Sequence, residues 1–136
     1  MNIDWVREYC MSLPHTTENL QWGDDLLFKI GGKMFAVLVL KPAPVWLSFK
    51  CSAEVFAELT ERSGIIPAPY MARHHWVALQ TSDALRQNEL ERLLYRSYEL
   101  VLEKLPRRTR DSLARSAPSR TKIKSTSKPR PRRRAR

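Results

Sequence analysis

The stretch that most constrains this chain is residues 29–40, Lys-Ile-Gly-Gly-Lys-Met-Phe-Ala-Val-Leu-Val-Leu. Two apolar arms flank Gly31-Gly32. Adjacent glycines reach positive φ without a Cβ clash, and the tight turns between antiparallel strands require that. The second arm, residues 34–40, is apolar at every position, so both of its faces must be covered. A strand buried on two sides sits inside a sheet, and the rest of the chain is expected to build outward from this hairpin.

Before the hairpin, residues 2–12 read as a short amphipathic helix. Ile3, Val6, Cys10 and Leu13 recur at helical spacing, with Asn2 as N-cap and Pro14 as stop. Residues 15–19 are polar and are expected to form a loop, and Gly23-Asp24-Asp25 a turn. Residues 26–30 make the first arm, with Leu26, Phe28 and Ile30 on one face. After the hairpin, Lys41-Pro42-Ala43-Pro44 turns the chain, because proline cannot donate to a central ladder. Residues 45–50 alternate as a third strand, with Val45, Leu47 and Phe49 on one side and Trp46, Ser48 and Lys50 on the other. Ser52 caps a helix over residues 53–62, which Ser63-Gly64 ends.

Pro67 and Pro69 keep residues 65–73 out of any regular central strand. Residues 75–80 read as a strand. A last helix, capped at Ser82 or Asp83, runs to about residue 104 on a stripe of Leu90, Leu93, Leu94, Ser97, Leu100, Val101 and Leu105, and Pro106 stops it. The order α-β-β-β-α-β-α predicts an α+β domain, an antiparallel sheet with helices packed on one face.

Charge divides the chain at Pro106. Residues 107–136 hold 13 of the 24 Lys and Arg and one acid, a net of +12. Residues 1–106 hold the other 11 against 13 acids, a net of −2. The division predicts a folded domain over residues 1–106 and a disordered Arg/Lys-rich tail over residues 107–136, whose only large apolar residues are Leu113 and Ile123. No apolar run approaches the ~20 residues that span a bilayer, and the first residues lack the layout of a secretory signal. The expectation is a soluble, cytoplasmic monomer with no membrane partner. Cys10 and Cys51 are too few for a disulfide framework and belong to no Cys-x-x-Cys pair.

Several blocks in order resemble one family. They are Trp22-Gly23, Phe28-Lys29-Ile30-Gly31-Gly32-Lys33-Met34-Phe35-Ala36, Leu47-Ser48-Phe49-Lys50-Cys51, Ile66-Pro67-Ala68-Pro69-Tyr70, His75-Trp76-Val77 and Ser97-Tyr98-Glu99-Leu100-Val101. Together they resemble the MmcQ/YjbR family over roughly residues 1–105. The resemblance implies a small antiparallel sheet with helices on one side. It also implies DNA binding through a winged surface, and it brings no reaction and no cofactor. The Arg-rich tail lies outside the family's pattern.

The residues themselves point away from catalysis. His74 and His75 would face opposite sides of a strand and so could not chelate one ion, and no His/Cys cluster has ligand spacing. Asp24-Asp25 reads as a turn, and no nucleophile motif or phosphate-cradling glycine loop is present. A non-enzymatic protein without metal or cofactor is expected.

The candidate nucleic-acid contacts are Lys29, Lys33, Lys41 and Lys50 on and around the hairpin, with Arg107, Arg108, Arg110, Arg130, Arg132, Arg133 and Arg134 in the tail. A flexible polycation releases counterions from phosphates and so binds in a salt-dependent, largely sequence-independent way. DNA is the expected partner, with RNA as the alternative. A second reading is a small-ligand or protein-interaction module whose groove or pocket would use Trp22, Trp46, Tyr70, His75 and Trp76.

Overall fold

The computed structural model describes residues 3–41 and 43–115. The elements, in order, are α1 (Ile3–Ser12), β1 (Thr17–Gln21), β2 (Asp25–Ile30), β3 (Lys33–Val39), β4 (Leu47–Lys50), α2 (Ala53–Leu59), β5 (Ile65–Pro67), a single 3₁₀ turn (Ala72–His74), β6 (Trp76–Leu79), α3 (Gln87–Lys104) and α4 (Arg107–Arg115). The strands form one antiparallel sheet in the order β1-β2-β3-β4-β6-β5. This is the expected α+β class, with β3 inside the sheet.

The glycine pair behaves as its sequence requires, with Gly31 at φ 60 and Gly32 at φ 82. Just beyond the turn the register shifts. Phe28 pairs with Ala36 while Lys29 pairs with Met34, so Phe35 is the extra residue of a bulge in β3. The bulge lets Phe35 and Ala36, neighbours in sequence, both join the core on the helix side. Phe35 there meets the Tyr98 ring edge-on at 5.6 Å.

The helix-side cluster gathers Val6 and Cys10 of α1, Phe28, Ile30, Leu38, Leu47, Phe49, Val77 and Leu79 of the sheet, and Leu90, Leu94 and Val101 of α3. The opposite face is not bare. Leu27, Val37, Trp76 and Ala78 form a second cluster there, roofed by Ala68 and Met71 from the segment between β5 and β6. Both faces of β3 are thus covered, as its unbroken apolar run demands.

Several expectations are corrected. Residues 17–19, expected as loop, belong to β1, which pairs with β2 from Thr17↔Lys29 to Gln21↔Asp25. An edge strand needs only its backbone to pair, so its polar side chains leave no alternation to read. Trp46 lies outside β4 and packs with the helix-side cluster, not on the face of Lys50, and its indole N–H donates to the Thr81 carbonyl at 2.9 Å. α2 is capped by the Ser52 hydroxyl as expected but ends at Leu59. α3 begins at Gln87, not after Ser82 or Asp83. Leu85 is buried ahead of it, and the Glu89 carboxylate closes back on the Arg86 N–H at 3.2 Å.

Residues 107–115, expected within a disordered tail, form α4. Thr109 and Leu113, one turn apart, supply just enough inward face to dock it. The expected N-cap Asn2 and residues 116–136 lie outside the described residues. No helix among the described residues is long and apolar enough to cross a membrane.

Both cysteines are free and buried. Burial pushes the Cys51 thiol up to about 12 and Cys10 higher still. A thiol held protonated and out of solvent is not a nucleophile. Ellman's reagent at pH 8 is therefore expected to titrate no thiol promptly in the native protein and both in urea. Rapid modification of the native chain would contradict this packing.

Candidate nucleic-acid interface

The hairpin tip is a packed junction. A Cβ added at Gly31 would lie 2.5 Å from Leu105 Cδ1 and 3.2 Å from Thr109 Cγ2, so the turn sits directly against the link between α3 and α4. That link is built by Pro106. The residue before it, Leu105, is extended (ψ 149), as residues preceding proline prefer, and α3 ends there. The Pro106 carbonyl then accepts the Arg110 N–H at 3.0 Å and opens α4. The proline that stops one helix also starts the next.

α4 turns its basic residues outward. Thr109 and Leu113 face the body, while Arg107, Arg108, Arg110 and Arg115 are exposed. One acid, Asp111, lies 3.9 Å from Arg107. Lys33, beside Gly32, is exposed, and Lys29 on the other arm is half-buried.

Lys50 reaches the same end of the molecule from β4. Its carbonyl accepts the buried Ser97 hydroxyl of α3 at 2.6 Å, and its ammonium donates to the His74 carbonyl at 3.2 Å. Desolvation, and then the nearby Lys104 charge, lower the Lys50 pKa. Glu103 does not cancel Lys104, because Arg96 holds that carboxylate at 3.2 Å. Lys41 stands apart at the far end of β3, paired with Asp24 at 3.2 Å.

Of the expected contacts, then, Lys29, Lys33 and Lys50 share one end of the fold with Arg107, Arg108 and Arg110. Lys41 does not. Arg130, Arg132, Arg133 and Arg134 lie outside the described residues. Lys104 also joins this end, close enough for its charge to act on Lys50, and the sequence pattern does not mark it. Lys104 is hidden in a helix whose clearest signal is its apolar stripe.

The aromatic set is scattered. Trp22 is 67% exposed in the β1–β2 turn, at φ 53. Tyr70 is fully exposed at φ 66. His75 ends the 3₁₀ turn, its ring 5.6 Å from Phe56. Trp46 is half-buried, and Trp76 is 3% exposed. Trp76 does meet the proline segment, since its carbonyl accepts the Ala68 N–H at 2.9 Å, but as core and not as the wall of an open groove. Trp22 is separated from it by the breadth of the sheet. A shallow hollow of about 420 Å³ lies elsewhere, lined by Tyr9 of α1 and by Glu91, Arg92, Tyr95, Arg96 and Glu99 of α3. Among the described residues no three His, Cys, Asp or Glu side chains converge to hold a metal.

The YjbR family model matches residues 11–100. The chain belongs to the YjbR family. A Deinococcus radiodurans protein with a DUF419 domain is similar at 30% identity and TM-score 0.75, over 83% of this chain and 88% of that one. A Pseudomonas syringae protein shares the fold at 23% identity and TM-score 0.63, over 74% of this chain and 98% of its own. No curated protein matches the chain. The YjbR match contains the hairpin, Lys50 and most of α3, and it ends before Lys104 and α4. The basic end therefore combines residues inside the matched span with residues C-terminal to it.

Proposed function

We propose that this YjbR protein is a non-enzymatic nucleic-acid-binding protein, with DNA the expected partner. The observation that carries the reading is the contact of Gly31 with Leu105 and Thr109. It sets the lysines of the hairpin beside the arginines of α4. Residues 116–136, which follow α4 in the sequence, add nine Lys and Arg and no acid. Such an arrangement suits phosphate contacts, which position and hold a duplex without reading its sequence. The helix and hairpin would orient the backbone, and the C-terminal residues would supply most of the attraction.

The test is a salt titration of binding to duplex DNA, single-stranded DNA and RNA. It compares the full chain, a chain ending at Arg115, and a full-length variant with Arg107, Arg108 and Arg110 changed to alanine. Removing one neutralised phosphate should reduce the log–log salt slope for duplex DNA by about 0.9. The alanine variant is expected to lower it by about 2–3, and removal of residues 116–136 by more. Binding whose slope neither change alters would refute the proposal. It would return the protein to the alternative, a small-ligand or protein-interaction module.

A further inference from the structure

The two edges of the sheet are finished differently. β5 is three residues long and ends at Pro67. An edge so short and proline-blunted discourages further pairing. β1 carries five residues, Thr17–Gln21, with no proline, lysine or arginine and no break in its register with β2. Among the described residues no strand lies beyond it.

Exposed apolar side chains gather at this same corner. Leu20 and Trp22 are both more than half exposed, and Leu40 is 40% exposed. Leu20 lies in β1 and Trp22 in the turn that follows. Leu40 is tied to that turn by its N–H, which donates to the Asp24 carbonyl at 2.9 Å. An exposed tryptophan at positive φ adds local strain to the apolar corner.

We propose that β1 is the pairing edge for a second copy of this chain, the two β1 strands running antiparallel about a two-fold axis at Asn19. This departs from the monomer expected when residues 17–19 are read as a loop, because a loop offers no edge. A two-fold interface must be self-complementary, and β1 is so in one register.

Its ladder with β2 places Glu18 and Leu20 on the helix side, opposite Phe28 and Leu26, and Thr17, Asn19 and Gln21 on the other side. Pairing about Asn19 sets Thr17 against Gln21, and Asn19 against its counterpart. These groups are uncharged, and each can both donate and accept. On the helix side the pairing sets Leu20 against Glu18. Glu18 faces a neutral side chain there, so no like charges meet, and its carboxylate stays held by Arg7 through two bonds, at 2.8 and 2.6 Å. A two-residue slip one way would face Glu18 with its own copy, which is unfavourable. Either slip also shortens the ladder, since only the register centred on Asn19 pairs all of β1. In the antiparallel arrangement the two hairpin-tip ends point in opposite directions. On the nucleic-acid reading proposed above, the dimer would then bridge two segments, but the pairing itself does not depend on that reading.

Sedimentation velocity of the full chain without nucleic acid, over a micromolar concentration series, tests the pairing with Leu20→Glu and Leu20→Lys. The wild type is expected to dimerise with concentration. Leu20→Glu puts two like-charge pairs across the axis and should weaken the dimer about tenfold. Leu20→Lys puts an ammonium opposite Glu18 and should retain the dimer. Circular dichroism checks that both variants fold. A monomeric wild type, a dimer indifferent to Leu20→Glu, or a dimer lost equally with either charge would each overturn the proposal. Because nucleic acid is absent, failure here leaves the binding proposal untouched, and failure of the salt titration leaves the dimer untouched.

Discussion

Replacing Gly31 by alanine is expected to destabilise the protein by about 2–4 kcal/mol, whereas the same change at Gly32 should cost about 1–2 kcal/mol. Both glycines hold positive φ, so an added Cβ strains the backbone at either site. They differ in what the Cβ would meet. At Gly32 nothing lies within 4 Å, while at Gly31 the Cβ would press on Leu105 and Thr109. Leu105 is 4% exposed and belongs to the core cluster, so it cannot swing away freely. The excess at Gly31 measures how tightly the α3–α4 link seats on the hairpin.

Urea denaturation of the two variants reads the difference directly, and Leu105→Ala in each background isolates the contact. Equal losses at the two glycines would mean that the hairpin tip does not support α4. The joint basic end would then lose its structural footing, whatever the tail does.

What can be read in the sequence follows from where each signal resides. The hairpin is legible because Gly31-Gly32 and an unbroken apolar arm each demand one local outcome. α1, α2 and the body of α3 are legible because their apolar residues recur at helical spacing. β1 is not, since Thr17, Glu18, Asn19 and Gln21 gain their place from backbone pairing with β2. The start of α3 is easily misplaced because Ser82 and Asp83 are good capping residues, and only the burial of Leu85 and the return of Glu89 to Arg86 shift the start to Gln87. α4 shows a stripe of just Thr109 and Leu113, too little to outweigh its arginines without the surface that receives it.

The candidate interface follows the same logic. Each basic residue is visible, but their convergence depends on a contact between Gly31 and Leu105, far apart in the chain, which no local pattern encodes. Trp46 shows the converse. Alternation holds from Leu47 to Lys50 but fails at Val45 and Trp46, whose sides are exchanged, so the Trp46 ring turns to the helix side and its N–H to the Thr81 carbonyl.

Trp76 offers the second large effect, and it separates core from ligand platform. Trp76→Ala is expected to cost about 3–5 kcal/mol, the range for emptying a buried aromatic site. The ring is the largest side chain of the second cluster, on a strand flanked by β4 and β5, and no other large aromatic shares that face to refill the space. That loss is a large fraction of the stability of an ordinary small domain, about 5–15 kcal/mol, so the alanine variant is to be paired with Trp76→Phe, which keeps most of the volume and should cost about 1–2 kcal/mol. Trp22→Ala, at an exposed turn, should stay within about 0.5 kcal/mol. Denaturation midpoints with intrinsic fluorescence measure all three. If Trp76→Ala were as mild as Trp22→Ala, the second face would not be held by this ring. Trp76 would then be free to act as the aromatic contact that its place beside His75 suggests in the sequence.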